Sequence, residues 1–331
     1  MNTSPSTRRT DSIERDCLVE KIDHLMLQTP DPDGLFELFS TTLGLPVTAE
    51  VATRSGYRSG GVTMGNLSIE FIRFDGASGP PDGTSRFIGL ALQPTIPALD
   101  AHRTLTERGI QHGPPIVYRG AVPQEYRPYL EDADTTTAKI NTNIEMGGLI
   151  GEREILMAGV AGVAGGRLHD VVGRLVGRAL GRPRLARRLT AGFSLDVPLV
   201  QLVEYHHDLD RRRRDDAARL HDADGGTLGV TAVREVVATV PDPHITLREW
   251  ETLLGRRLDE AKLIDIGAGP SLVFEQGVDP RIDRCVVGVA SLDRCRRALE
   301  DHDLCGPDID DETIALRPEA VGGATVWFRD D

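Results

Sequence analysis

The chain has 331 residues, with 38 Lys or Arg against 51 Asp or Glu and a formal net charge of −13. At 40% hydrophobic and 27% charged it reads as an ordinary globular chain, long enough for roughly two domains at about 150 residues each. The acidic balance argues against nucleic acid or an anionic membrane as partner, because both repel carboxylates, and the composition excludes collagen-like, mucin-like and disulfide-scaffold classes.

The opening stretch, residues 1–18, is polar, has no apolar signal segment and reads as a disordered tail. Cys17, Cys285, Cys295 and Cys305 form no C-x-x-C pair, which fits a reducing compartment, and a cytoplasmic location is expected. The longest apolar run, Ile155 to Gly166, is too short and glycine-rich to span a bilayer.

From Val19 an alternating strand runs into Pro30-Asp31-Pro32 and an amphipathic helix carrying Leu35, Phe36, Phe39 and Leu43, stopped by Gly44. The same pattern restarts at Val230, with a constant offset of 211: Pro241-Asp242-Pro243 matches the turn and Leu254-Gly255 the stop. Short strands separated by Gly and Asn follow each helix, and a second strand-helix unit follows in each half. These patterns predict four β-α-β-β-β modules, paired two and two, in an α+β chain. The first domain is expected over 19–207, a linker over 208–228 and the second domain over 229–331. The linker's run Arg211 to Arg214, flanked by acids, reads as a solvated helix followed by a glycine turn.

An insertion is expected over about 124–196. Leu168, Val171, Val172, Leu175, Val176 and Ala179 make a helical stripe there, and eight arginines lie between Arg153 and Arg188. Two readings stay open: a basic lid over the first cup, or an outer packing helix that leaves room for a homodimer contact.

The opening IDHLMLQTPDPDGLFELFSTTLGL, with paired modules behind it, resembles the vicinal-oxygen-chelate superfamily of glyoxalases, extradiol dioxygenases and bleomycin-resistance proteins. The resemblance implies an α+β fold whose four modules pair into two cupped mixed sheets with helices outside, and a divalent metal (Mg, Mn, Fe or Zn) in a cup, held by His, Glu or Gln, His and Glu from the first and last strands of paired modules. Strand alternation puts Ile22, His24, Met26 and Gln28 on the cup side of the first strand, Ser68 and Glu70 on another, and Gln201 and Tyr205 on the closing strand. His24 and Glu70 thus fall on the first two ligand positions and Gln201 on the last. The third offers Phe87, Ile88 and Gly89 instead of His, and Glu204 has the wrong parity. Metal on His24, Glu70 and Gln201, or a metal-free cup in which His24 and Glu70 bond each other, are both open, with Glu70 also the candidate catalytic base. Tyr205, Met26 and His112 are candidate substrate contacts. The second half offers Glu235, Glu275 and Trp327 at matching positions and reads as a decayed copy.

The resemblance implies an enzyme of the isomerase, lyase or dioxygenase kind acting on a small oxygenated organic molecule. The competing reading is a non-catalytic protein that binds such a molecule. No nucleotide cofactor, nucleic acid or membrane partner is expected.

Overall fold

The structure, a computed structural model, describes residues 17–54, 57–74, 83–132, 134, 136–151, 197–258 and 263–331. The first half opens with β1 (Val19–Gln28) and α1 (Pro32–Glu37), continued by a wider turn over Leu38–Thr42. Three strands follow: β2 (Val47–Arg54), β3 (Tyr57–Thr63) and β4 (Ser68–Phe74). Then come β5 (Arg86–Pro94), α2 (Ala98–Glu107), β6 (Ile116–Ala121), β7 (Thr137–Met146) and β8 (Leu199–Tyr205). These eight strands form one sheet in the order β2-β3-β4-β1-β5-β8-β7-β6. Each module thus keeps its first strand parallel to its last, and the two modules join antiparallel through β1 and β5.

After α3 (Leu209–Asp222), the second half repeats the plan with β9 (Val230–Val240), α4 (Pro243–Leu254), β10 (Leu263–Asp265) and β11 (Ser271–Gln276). It closes with β12 (Arg281–Val289), α5 (Leu292–Asp301), β13 (Cys305–Asp310), β14 (Thr313–Leu316) and β15 (Val326–Asp330). Its sheet has seven strands, β10-β11-β9-β12-β15-β14-β13. Among the described residues the module after β9 has two strands beyond its helix where three were expected. The short strand Leu263–Asp265 runs straight into a glycine turn at Gly267.

Local chemistry explains the helices. Asp31 accepts a hydrogen bond from the backbone N–H of Gly34, and Asp242 from those of His244 and Ile245, capping α1 and α4 at matching places. Gly255 ends α4 in the left-handed conformation that a side chain would resist. Phe39 packs on Phe71 with ring centroids 5.1 Å apart, and Trp250 on Phe274 at 6.1 Å, so each first helix is bolted to its sheet by one aromatic pair. One continuous apolar core joins both halves.

Two parts of the sequence-based reading change. Of the stretch taken as an insertion, residues 137–146 are β7, an interior strand of the first sheet, while the striped helix and its arginines lie outside the described residues. The linker helix α3 is not solvated all round. Arg212, Asp216 and Leu220, four apart, form a buried stripe.

Candidate functional site

A bulge in β1 shapes the site. The register between β1 and β5 shifts between Ile22 and His24. Ile22 therefore turns into the main core instead of the cup, and Asp23 joins His24 on the concave face. His24 Nδ1 lies 2.8 Å from Asp23 Oδ2, and the Tyr205 hydroxyl donates to the same oxygen at 2.6 Å. Arg213 donates to Asp23 Oδ1 at 2.6 Å and also to the Gln93 amide oxygen. On the other side of the ring, His24 Nε2 faces Glu70 Oε2 at 3.6 Å.

The electrostatics follow from these contacts. Burial opposes a charge on Asp23, but the bond and charge of His24, then Arg213 and Tyr205, prevail and hold its carboxyl well below the usual range. Burial likewise pulls His24 down, but the bond and charge of Asp23 and the charge of Glu70 prevail, and its pKa is raised. Burial above all, then the charge of Asp23, keeps Tyr205 a neutral phenol. The carboxylate is thus a fixed anion that fixes the imidazole, leaving Nε2 as the nitrogen presented to the cup.

Helix α3 closes one end of the cup. Arg212 lies over the Tyr126 ring, 4.3 Å from its centroid, and donates to the Thr48 carbonyl at 3.3 Å. Tyr126 and Tyr129 belong to a short turn, Gln124–Tyr129, that packs with Tyr205 around His207. Burial and the charge of Arg212 push His207 down to about 4, so it is neutral. A cavity of about 270 Å³ adjoins this end, lined by Gln93, Tyr205 and His207 together with the acids Glu204, Asp208 and Asp210.

Further along the same face the lining turns apolar. Met26, Ile72 and Ile88 form a buried cluster separate from the main core, flanked by Tyr57, Phe74 and Leu199. Gly89 makes room for it: a Cβ there would lie 2.8 Å from the Met26 methyl and 2.2 Å from the Leu199 carbonyl oxygen.

Of the residues singled out from sequence, His24, Glu70 and Tyr205 come together, and Met26 and Gln201 meet beside them, the Gln201 amide nitrogen 3.8 Å from the Met26 sulfur. Gln201 Oε1 accepts from Asn143 at 3.2 Å. His112 lies elsewhere, bonded to the Ile110 carbonyl and Thr106 and edge-on to His102 on α2. Glu204 accepts from the N–H of Ala98 and so stabilises the start of α2. Asp23, Arg212, Arg213 and Tyr126 escaped the sequence reading. The bulge that brings Asp23 inward leaves no alternation signal, whereas the i, i+4, i+8 stripe of Arg212, Asp216 and Leu220 was available to find the buried face of α3.

In the second half each matching carboxylate has its own arginine. Glu235 pairs with Arg329 at 3.0 Å, and Arg284 bonds Glu275 and Asp283 while lying 4.4 Å over Trp327.

The metal implied by the sequence resemblance finds a short donor set. His24 and Glu70 stand close enough to share an ion, but the Gln201 amide is tied to Asn143 and Met26. The third expected ligand position is filled by packing at Gly89. Among the described residues no group of three or more His, Cys, Asp or Glu is arranged to hold a metal. The described residues do not fit a divalent centre with three protein ligands.

No family model matches the chain, and no curated protein does. Solved structures do. A hypothetical protein from Staphylococcus aureus is 9% identical over 94% of this chain and 99% of its own, with a TM-score of 0.51. Homoprotocatechuate 2,3-dioxygenase from Arthrobacter globiformis is 12% identical, covering 96% and 80%, at 0.51. A variant of 4-hydroxymandelate synthase from Streptomyces coelicolor is 11% identical, covering 95% and 93%, at 0.52. With paired modules curled into two cups and these likenesses across nearly the whole chain, the protein has the vicinal-oxygen-chelate fold.

Proposed function

We propose that the first cup is the active site of an enzyme that moves a proton on a small oxygenated organic molecule, in the isomerase or lyase class. The observation that carries this is the line Asp23–His24–Glu70, in which a buried carboxylate fixes an imidazole whose other nitrogen faces a second carboxylate at 3.6 Å. Glu70 takes the proton from a carbon next to a carbonyl. The His24 imidazolium donates its Nε2–H to the carbonyl oxygen and stabilises the charge that develops there. Returning the proton to a neighbouring carbon, or expelling a leaving group, completes the reaction without a change of oxidation state. Tyr205 and Arg213 hold Asp23 and thereby the ring.

The test is hydrogen–deuterium exchange at the α-carbon of a panel of small ketones and 2-oxo acids in D₂O, with protein washed in EDTA. Exchange that survives the chelator and is lost in His24→Gln and Glu70→Gln supports the reading. Exchange by the wild type that persists in both variants overturns it. A second reading, a non-catalytic binding protein, is favoured by the engagement of Gln201 with Asn143 and Met26, and it predicts binding of panel compounds with no exchange.

A further inference from the structure

We infer that Gln93 is a positioning residue of the first cup: by taking one prong of the Arg213 guanidinium it keeps that arginine on a single oxygen of Asp23 and reserves the other oxygen for His24. This rests on the reading of that cup as the working site and adds a residue that acts on His24 only through Arg213 and Asp23.

Asp23 is divided between its neighbours. Arg213 Nη2 donates to Oδ1 at 2.6 Å, while Oδ2 accepts from the Tyr205 hydroxyl at 2.6 Å and lies 2.8 Å from His24 Nδ1. A guanidinium beside a carboxylate favours the parallel arrangement, with two prongs on two oxygens. Here the second prong, Nη1, is turned instead to the Gln93 amide oxygen. Freed from Gln93, it would turn to Oδ2 of the same carboxylate, the acceptor that its fork fits, and a full positive charge would then compete with the imidazole for that oxygen. The Arg213 and Asp23 side chains are only 18% and 10% exposed, so little water is at hand to make up a lost bond.

The sheet places Gln93 for this role. It stands on β5 opposite Lys21 of β1, beside the bulge that turns Asp23 inward, so one fork from α3 spans both strands. Neither other charged neighbour can stand in for it. Lys21 carries the same charge as Arg213 and offers it no acceptor. Asp210, three residues before Arg213 on α3, is exposed, and water screens its pull.

The second half supplies an independent comparison. Arg234 stands 211 residues after Asp23, at the matching bulge in β9, and pairs with Asp331. The register place of Gln93 is held there by Gly288, paired with Ala232 as Gln93 is with Lys21. A Cβ on Gly288 would lie 2.7 Å from both Arg234 Nε and Asp331 Oδ1. No restraining side chain fits beside that ion pair, and none is needed, because Glu235 rather than a histidine follows Arg234. The amide is found in the half that has an imidazole to orient.

The experiment follows the His24 Nδ1–H proton by NMR in the full chain, assigned by its loss in His24→Gln. A proton bonded to a buried carboxylate resonates far downfield and exchanges slowly with water. In Gln93→Ala, and in Gln93→Met, which removes the acceptor but keeps the volume, the signal should move upfield and exchange faster. Gln93→Glu keeps an acceptor for the prong and should leave the signal near its wild-type place. Combining Gln93→Met with Arg213→Gln removes the competitor and should restore it. Proton exchange on the ketone panel should follow the same order, about tenfold to a hundredfold lower in Gln93→Met. An unchanged Nδ1–H signal in Gln93→Ala or Gln93→Met, or an equal loss in the double variant, overturns the inference. The NMR readout needs no turnover, so the two readings fail separately. Signals in the expected order with no ketone exchange by the wild type would leave the positioning in place and sink the enzymatic reading. Exchange that depends on His24 while its signal ignores Gln93 would do the reverse.

Discussion

The two cups share a scaffold and differ in what their charges do. In the second, Glu235 pairs with Arg329, Glu275 and Asp283 share Arg284, and Arg284 covers Trp327. In the first, Asp23 is satisfied by its neighbours, while His24 Nε2 faces Glu70 at 3.6 Å, beyond hydrogen-bond distance. One position separates the two designs: Arg284 pairs with Val237 where Gly89 pairs with Met26. A side chain at that place fills the second cup from within, and its absence leaves the first cup lined by Met26. The same scaffold thus carries acids paired with arginines in one cup and an imidazole facing a carboxylate in the other.

The largest test of that contrast is functional. His24→Gln should lower proton exchange by about 10²–10⁴-fold, the usual contribution of a positioned acid or base. The matching change Glu235→Gln, on a carboxylate already paired with Arg329, should leave exchange within about twofold by the same reasoning. Comparable losses from both would mean that the two cups work together.

Stability separates the halves next. Asp23→Ala strands Arg213 and His24 with buried charge and should cost about 3–5 kcal/mol in urea unfolding. Arg284→Ala should cost about 1 kcal/mol, because Glu275 is left nearly half exposed and returns to water. The first cup also carries a pH signature. The folded pKa of His24 is raised above 6.5, so its contribution is complete below pH 6.5 and is lost as pH rises through the folded value. Asp23, with its folded pKa depressed from 3.8, contributes above pH 3.8 and loses that contribution as pH falls through its folded value. The stability difference between wild type and His24→Gln should accordingly shrink from pH 6 to pH 9. A difference that grew over that range would mean the imidazole is held neutral.

Gly89→Ala asks whether the empty position matters. Its Cβ would strike the Leu199 carbonyl and the Met26 methyl, and the parallel pairing of β5 with β8 leaves the backbone little freedom to move. A loss of about 1–3 kcal/mol is expected, with the His24 NMR signals shifted because Met26 lies two residues away on the same strand. An unchanged unfolding midpoint would mean that β5 relaxes easily, and the contrast with Arg284 would then rest on charge alone.

Much of this plan was legible in residues that obey simple periods. The strand beginning at Val19, the Pro-Asp caps and the glycine stops gave the strand-helix units, because burial and capping act locally. Glu70 and Tyr205 were found on the cup because β4 and β8 alternate without interruption where those residues lie, and His24 because β1 pairs with β4 without a shift from His24 onward. Asp23 was not, since the bulge that admits it depends on pairing with β5, which is distant in sequence. Arg212 and Arg213 were hidden by composition: four arginines among acids look solvated until the opposite wall, Thr48 and Tyr126, is in place. His112 lies away from the cup for a local reason, as its partners Thr106 and His102 are on α2 just before it.

The smallest test addresses the joint between the halves. The Asn66 side chain donates to the Val233 carbonyl and accepts from its N–H, both at 2.9 Å, clasping one peptide group of β9 from the turn before β4. Val233 lies 211 residues after Ile22, and Gly269 comes to Ile22 as Asn66 comes to Val233: a Cβ on Gly269 would stand 3.3 Å from the Ile22 nitrogen. At these two matching places, Asn66 is bonded to Val233 while Gly269 packs on Ile22. Asn66→Ala removes both bonds, water recovers part of the loss, and about 1 kcal/mol should go. Gly269→Ala should cost less, because the neighbouring backbone needs to yield by only a few tenths of an ångström. Since one apolar core spans both halves, unfolding of Asn66→Ala should remain a single transition in urea. Two separate transitions would show that the shared core alone does not couple the two halves.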